Sequence, residues 1–471
     1  MFQTVAGADE GLYALVAREW LNGHLPYTTV WETKPPLFFA ILAMAMLAFG
    51  KSMLALRIAG DAAIACTACA LYEIGRSVHR GGHRIGLTAA LLYAALTTSD
   101  SGSSAVAEIF YAPFVAIPLA LILRGRIPAR APGRGMALIG LGALLGCAML
   151  IKESALLEVV YVAGVLAWAC EAAYVAPLVL GILLALAAST VPYFVTGNFP
   201  LYWDANAGAV ARRAFVAVPD VAPWTDVLRA QCLAFFPATL LIFGTAWAWK
   251  REESDADDRI LIAAMSGWAV VSLLTVVAIR EYLGNHFIGA MAPACVLSAL
   301  VTVRLAARLR SPALVPAIVA LALVAHAAYQ FVLAAPVAYG RIRTGDPTFG
   351  DPTAQLGAYL ASHAAAERGL YVADDRTVLY VLTGAASPTR YAYPPHLLDR
   401  YQEGVAGVDG PREIARIVQL HPTFIVRDLA SRRYEDPPGR DLLDRTLQAG
   451  YRTVYGRGAR TVYRLAAPGP P

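Results

Sequence analysis

The sequence predicts a polytopic all-α membrane protein with a small α/β domain at its C-terminal end. Three observations carry this reading. The 471 residues are 58% hydrophobic and only 15% charged, against about 25% charged in soluble domains, and mean hydropathy is +0.52. Apolar runs recur at lengths near the ~17–25 residues that cross a bilayer as a helix. From residue 337 onward the pattern changes to turn residues and short alternating segments. The pI near 8.8 does not indicate nucleic acid, because the basic residues sit in short loops between apolar runs.

The elements follow in chain order. Residues 10–22 place Leu12, Leu15 and Val16 on one side at helical spacing, with Arg18 and Glu19 elsewhere, which predicts a helix lying at the membrane surface. Residues 36–50, PLFFAILAMAMLAFG, are apolar but short, and suit an interfacial or re-entrant helix better than a span. Hydropathy then gives about ten spans, at 53–75, 85–99, 107–123, 136–151, 154–170, 173–195, 227–249, 260–279, 287–303 and 313–335. Trp31 and Trp203 read as aromatic anchors at the membrane boundary.

Loop charge sets the orientation. GRSVHRGGHR, RGRIPARAPGRG, KREESDADDR and RLAARLR occupy every second loop, so these face the cytoplasm. The loops at 100–106, 196–226 and 280–286 are poor in Lys and Arg and face outward, as does the C-terminal region. The cysteines all lie in apolar runs, and Cys66 and Cys69, inside IACTACALY, read as small packing residues. The domains are thus 1–336, in the membrane, and 337–471, outside it. In the second, GLYVAD, TFIVRD, YRTVYG and RTVYRL read as strands and REIARIVQL and RDLLDRTLQAG as helices.

Charged residues beside apolar spans are costly and mark function by default. Asp9, Glu10, Glu32 and Lys34 precede the first span; Glu108 opens the span at 107–123; Lys152 and Glu153 form a turn; Arg280, Tyr282 and His286 lie in a loop. The topology puts all of them on the outer face. A transporter carries its polar site near the midplane, whereas a site at one edge suits an enzyme using a lipid-linked sugar. Such transfer needs cations on the leaving phosphate, for which Lys34, Lys152 and Arg280 are available, and a carboxylate base for the acceptor hydroxyl, for which Asp9 or Glu108 is available. Each residue also has a plain reading. Asp9 is as good an N-cap for helix 10–22, Glu10 complements a helix dipole, Lys34 snorkels, Lys152 and Glu153 neutralise one another, and His286 is a boundary residue.

The stretch DEGLYALVAREWLNGHLPYTTVWETKPPLFFAILAMAMLAFGKSMLALRIAG resembles the opening of the bacterial protein-O-mannosyltransferase-like family of GT-C glycosyltransferases, which includes lipid A aminoarabinose transferases and lipopolysaccharide-core galacturonosyltransferases. AVAEIFYAPF, MLIKESALL and REYLGNHFIGAMAPA resemble later family segments. The resemblance implies a GT-C fold in the bacterial inner membrane, and transfer with inversion from a polyprenyl-phosphate sugar to an extracytoplasmic glycolipid, glycan or protein. It implies Asp9 as base and Glu108 as a second essential acid. It places Lys34 on the donor phosphate and Tyr282 and His286 near the donor headgroup, so that Glu10, Lys34, Lys152, Arg280, Tyr282 and His286 form the expected substrate-binding set. No cofactor is required, though relatives with a metal leave a divalent ion open, with Glu32 and His286 as available ligands. The family carries a membrane helix before its Asp-Glu pair; eight residues precede Asp9 here, so the expectation is a chain lacking that helix. The alternative reading is a transporter or flippase of lipid-linked sugars, in which Asp61 is the rare acid inside a span.

Overall fold

The structure, a computed structural model, describes residues 8–97, 105–125, 134–169, 172–216, 256–279, 284–307, 314–430 and 437–466. The helical part contains α1 (Ala8–Leu21), α2 (Pro36–Phe49), α3 (Met53–Gly75), α4 (Gly82–Thr97), α5 (Ala107–Leu123), α6 (Arg134–Met149), α7 (Leu156–Ala169), α8 (Val175–Val195), α9 (Phe199–Trp203), α10 (Ala209–Phe215), α11 (Ala256–Ile279), α12 (Ile288–Ala306) and α13 (Leu314–Thr344). Among the described residues, four helical stretches are long and apolar enough to cross a membrane: Met53–Gly75, Val175–Val195, Asp258–Ile279 and Asn285–Ala306. The span expected at 227–249 lies outside the described residues. α2 has 14 residues, about 21 Å at 1.5 Å per residue, short of the ~30 Å of hydrocarbon.

Small residues set how closely the helices approach. A Cβ on Gly142 of α6 would fall 1.9 Å from the Leu178 carbonyl oxygen of α8, and one on Gly181 of α8 would fall 2.0 Å from the Ile139 carbonyl oxygen of α6. Backbone therefore meets backbone, the packing that membrane helices use where apolar burial supplies little drive.

The C-terminal layer holds α14 (Pro352–Ser362), α15 (Ala365–Arg368), β1 (Leu370–Val372), α16 (Val378–Thr383), α17 (Pro395–Leu398), α18 (Arg400–Ala406), α19 (Gly410–Gln419), β2 (Phe424–Asp428), α20 (Pro437–Gly450), β3 (Tyr451–Arg457) and β4 (Arg460–Leu465). Asp351, Asp399 and Asp409 cap α14, α18 and α19 by accepting backbone N–H bonds. The sheet order is β1-β2-β4-β3, with β1 parallel to β2 and the other pairs antiparallel. Each segment read as a strand or helix in the sequence forms that element. α13, however, runs past residue 336 to Thr344, because Pro336 interrupts one hydrogen bond without ending the helix.

α1 is not the one-sided surface helix that its spacing suggests. Leu12 through Ala17 are all buried, since α2 covers one side and α16 the other. A Cβ on Gly11 would come 2.7 Å from the Val378 nitrogen, so only glycine admits α16 at this distance. Arg18 is buried too, and donates to the carbonyls of Tyr380 at 2.5 Å and Ala385 at 2.7 Å. Trp31 is likewise no membrane anchor. It is buried, its backbone N–H donates to Arg390 at 2.7 Å, and its ring meets His396 edge-on at 4.8 Å. Trp203 is exposed. Residues 8–35 therefore form the floor on which the C-terminal layer stands.

Candidate active site

The site is built at the end of the helix bundle that faces this layer. Asp9 lies within α1, not at its cap, and is half-buried. The Tyr393 side chain hydrogen-bonds to its carboxylate. Burial and the neighbouring Glu32 push the Asp9 carboxyl above its ordinary range, against the opposing pull of Lys34 and Tyr393. Glu32 accepts from the Thr33 hydroxyl at 3.0 Å and stands 3.9 Å from the Lys34 ammonium. For Lys34, burial alone lowers the ammonium; Glu32 and Glu153 outweigh it and leave the pKa raised. Lys34 is thus a firm cation, and its partner is held loosely.

Glu108, in the first turn of α5, is buried and paired with Lys152, which precedes the turn before α7. His286 Nε2 lies 3.8 Å and Asn285 Nδ2 3.5 Å from the same Glu108 oxygen. Lys152 therefore neutralises Glu108 and not its neighbour Glu153, which pairs instead with Arg213 of α10 at 3.7 Å. One turn further into α5, the Tyr111 hydroxyl reaches Glu158 at 3.3 Å, and Ser272 donates to the same Glu158 oxygen at 2.5 Å. This buried carboxylate ties α5, α7 and α11 together directly beneath the Glu108–Lys152 pair.

Not every expected residue joins the cluster. Glu10 turns away from its neighbour Asp9 and pairs with Arg57 of α3 at 3.4 Å, with the Ala105 N–H also at 3.4 Å. Its place is structural, linking α1 to α3. Arg280 and Tyr282 lie outside the described residues. Glu32 and His286 face different partners, and among the described residues no three His, Cys, Asp or Glu side chains group to hold a metal ion. Asp61 is exposed on α3.

Three contributors were missed in the sequence. Tyr393 belongs to the C-terminal layer, and nothing in YAYPPH marks which tyrosine reaches Asp9. His396 stands between Tyr393, at 5.1 Å, and Trp31, where burial pushes its imidazole down to about 4. Arg213 carried a visible signal: Arg212-Arg213 is the one basic pair in the otherwise Lys/Arg-poor loop 196–226.

A carboxylate with a raised pKa, a firm cation and a buried acid–lysine pair stand at one end of an apolar helix bundle, under a small α/β layer, and this fold is shared with solved GT-C structures. The chain superposes on ArnT from Cupriavidus metallidurans in the apo state with a TM-score of 0.62 and 16% identity, over 98% of this chain and 94% of that one. The same protein bound to undecaprenyl phosphate gives 0.63 and 15% over the same shares. Residues 33–195 match the dolichyl-phosphate-mannose-protein mannosyltransferase family. The resemblance drawn from the opening motifs therefore stands both in the fold and in that segment, which includes Lys34, Glu108 and Lys152. No curated protein sequence matches the chain.

Proposed function

We propose that the protein is an inner-membrane glycosyltransferase that moves a sugar from a polyprenyl-phosphate donor to an acceptor hydroxyl at the outer face, with inversion. The observation that carries this is the gathering of Asp9, Lys34, the Glu108–Lys152 pair and His286, from separate parts of the chain, at one end of a GT-C bundle. A structure of the same fold bound to undecaprenyl phosphate supports the donor class. Arg76, Arg124, Arg134 and Arg304 lie at the opposite helix ends, which supports an outward-facing site under an extracytoplasmic domain.

In a single displacement the acceptor oxygen attacks the anomeric carbon while its proton passes to the Asp9 carboxylate. The bond from that carbon to the phosphate oxygen breaks, and the leaving phosphate keeps the electron pair. Lys34, held as a cation near Asp9, is the group to neutralise that growing charge. A base with a raised pKa accepts a proton better near neutral pH than an ordinary aspartate does. Glu108 fixes Lys152 and, through it, the start of α7. Expulsion from an oxocarbenium-like centre requires only a positioned base and an electrostatic clamp, and these residues provide both.

A transporter or flippase would show polar residues along the span interiors; Asp61 is exposed on α3, and the buried Glu158 of α7 is bonded to Tyr111 and Ser272. The test is transfer by the purified full chain from synthetic undecaprenyl-phosphate sugars to glycolipid, glycan and peptide acceptors, with the product's anomeric configuration read by NMR. Donor-dependent product of inverted configuration is expected. Translocation of the donor across vesicles without any product would overturn the proposal.

A further inference from the structure

Tyr27, in the loop between α1 and α2, has a φ of 74°. A bulky side chain rarely stands in this left-handed region, and such strain persists only where the surroundings enforce it. Here they do. The Tyr27 N–H donates to the Val30 carbonyl at 3.0 Å, and the Thr28 N–H and hydroxyl both donate to the Leu25 carbonyl, at 3.2 and 2.6 Å. The Tyr27 ring is wholly buried. Its centroid lies 6.4 Å from that of Phe39 in α2, 5.8 Å from Tyr193 in α8 and 6.3 Å from Tyr202 in α9. Between α9 and α10, Asp204–Gly208 form a π-helical turn, a geometry that is frequent at functional sites. Asp204 of this turn accepts the Trp31 indole N–H at 3.3 Å, and the Asn206 side chain lies beside the Tyr27 hydroxyl. A second irregular element thus clasps the strained loop.

What the loop carries is Lys34. The Tyr27 hydroxyl donates to the Lys34 carbonyl at 2.7 Å. The chain beyond is fixed as well. Pro35 restricts Lys34 to extended backbone, Pro36 opens α2, and the Leu37 N–H donates to the Leu150 carbonyl at 3.1 Å. The Lys34 side chain is held far less firmly, since its ion pair with Glu32 spans 3.9 Å. The position of the ammonium therefore follows from the backbone, and the phenol fixes that backbone at its carbonyl. We propose that Tyr27 is a positioning residue for the transfer: by holding the Lys34 carbonyl it aims the Lys34 ammonium at the donor phosphate. This rests on the transferase reading above and adds the residue that places its cation.

The test is undecaprenyl phosphate binding by the full chain in lipid nanodiscs, with thermal unfolding read on each variant. Tyr27→Phe keeps the ring and removes the donor, and is expected to weaken binding about tenfold. Replacing Tyr27 by p-aminophenylalanine, whose amine still donates, should restore it. Tyr193→Phe is the control: the Tyr193 hydroxyl is buried without a hydrogen-bond partner, and its loss should leave binding unchanged. Tyr27→Phe added to Lys34→Ala should cost no further affinity, a result that a general loosening of the loop would not give. The proposal is overturned if Tyr27→Phe binds as tightly as the unmodified chain while Lys34→Ala does not, if Tyr193→Phe loses as much as Tyr27→Phe, or if the two losses simply add. Full binding by Lys34→Ala is a separate failure: it removes Lys34 from the donor phosphate, and takes the role of Tyr27 with it.

Discussion

Two acid–base pairs, one buried and one part-buried, tie membrane helices together at opposite ends of the bundle. At one end Arg304 of α12 grips Asp258 of α11 through two bonds, at 2.5 and 2.8 Å. At the other, Lys152 meets Glu108. The first is a closed fork: both carboxylate oxygens are used. The second is a point contact with His286, Asn285, Glu32, Lys34, Asp9 and the Arg213–Glu153 pair around it. Burying a charge is expensive at either end, so burial alone does not distinguish structure from chemistry. What distinguishes them is whether further ionisable groups crowd the same space without closing on one another.

The comparison can be broken in several ways. The largest effect belongs to Asp9→Asn, which keeps shape but removes the base: turnover should fall by about 10³-fold with thermal stability unchanged, and near-normal turnover would remove Asp9 from the chemistry. Next come Glu108→Ala and Asp258→Ala. Glu108→Ala strands the buried Lys152 and should cost on the order of 3 kcal/mol in stability, while Asp258→Ala leaves only the partly exposed Arg304 unpaired and should cost less, both read by thermal unfolding in detergent. Only Glu108→Ala should also abolish transfer in the protein that remains folded. Equal loss of activity from both would mean that the two ends do not differ in kind. Lys34→Ala should reduce turnover by about 10²-fold and weaken undecaprenyl phosphate binding, while leaving the unfolding temperature in place.

The smallest effect sharpens the picture most. Tyr393→Phe should lower turnover by roughly tenfold, at the low end of what one positioned hydrogen bond contributes. It should also move the pH profile. Asp9 must be ionised to act, so activity is lost as pH falls through its raised pKa. The Tyr393 bond works against that rise, and its removal should shift the acid limb to higher pH. An acid limb that stays fixed would mean that Tyr393 does not act through Asp9.

Most of the helical architecture was legible because hydropathy is a local property. α3 and α5 begin and end where their apolar runs do, and the strands of the C-terminal layer form at the segments rich in Val, Ile, Tyr and Thr. The sequence misjudged α1, whose pattern shows one apolar side while α16 supplies the cover for the other. It also misjudged Trp31, which resembles any boundary tryptophan until the C-terminal layer is placed over it.

Sequence by itself determined the fold class and a short roll of candidate acids and bases, because each follows from composition and the order of runs along the chain. Tertiary structure alone decided the pairings. Asp9 and Glu10 are adjacent in sequence, yet the ~100° step between successive helical residues sends one to Tyr393 and Lys34 and the other to Arg57. Lys152 and Glu153 separate for a similar reason, at a turn that aims one at Glu108 and the other at Arg213. Which charge meets which depends on helices distant in the chain, and no local pattern carries that information.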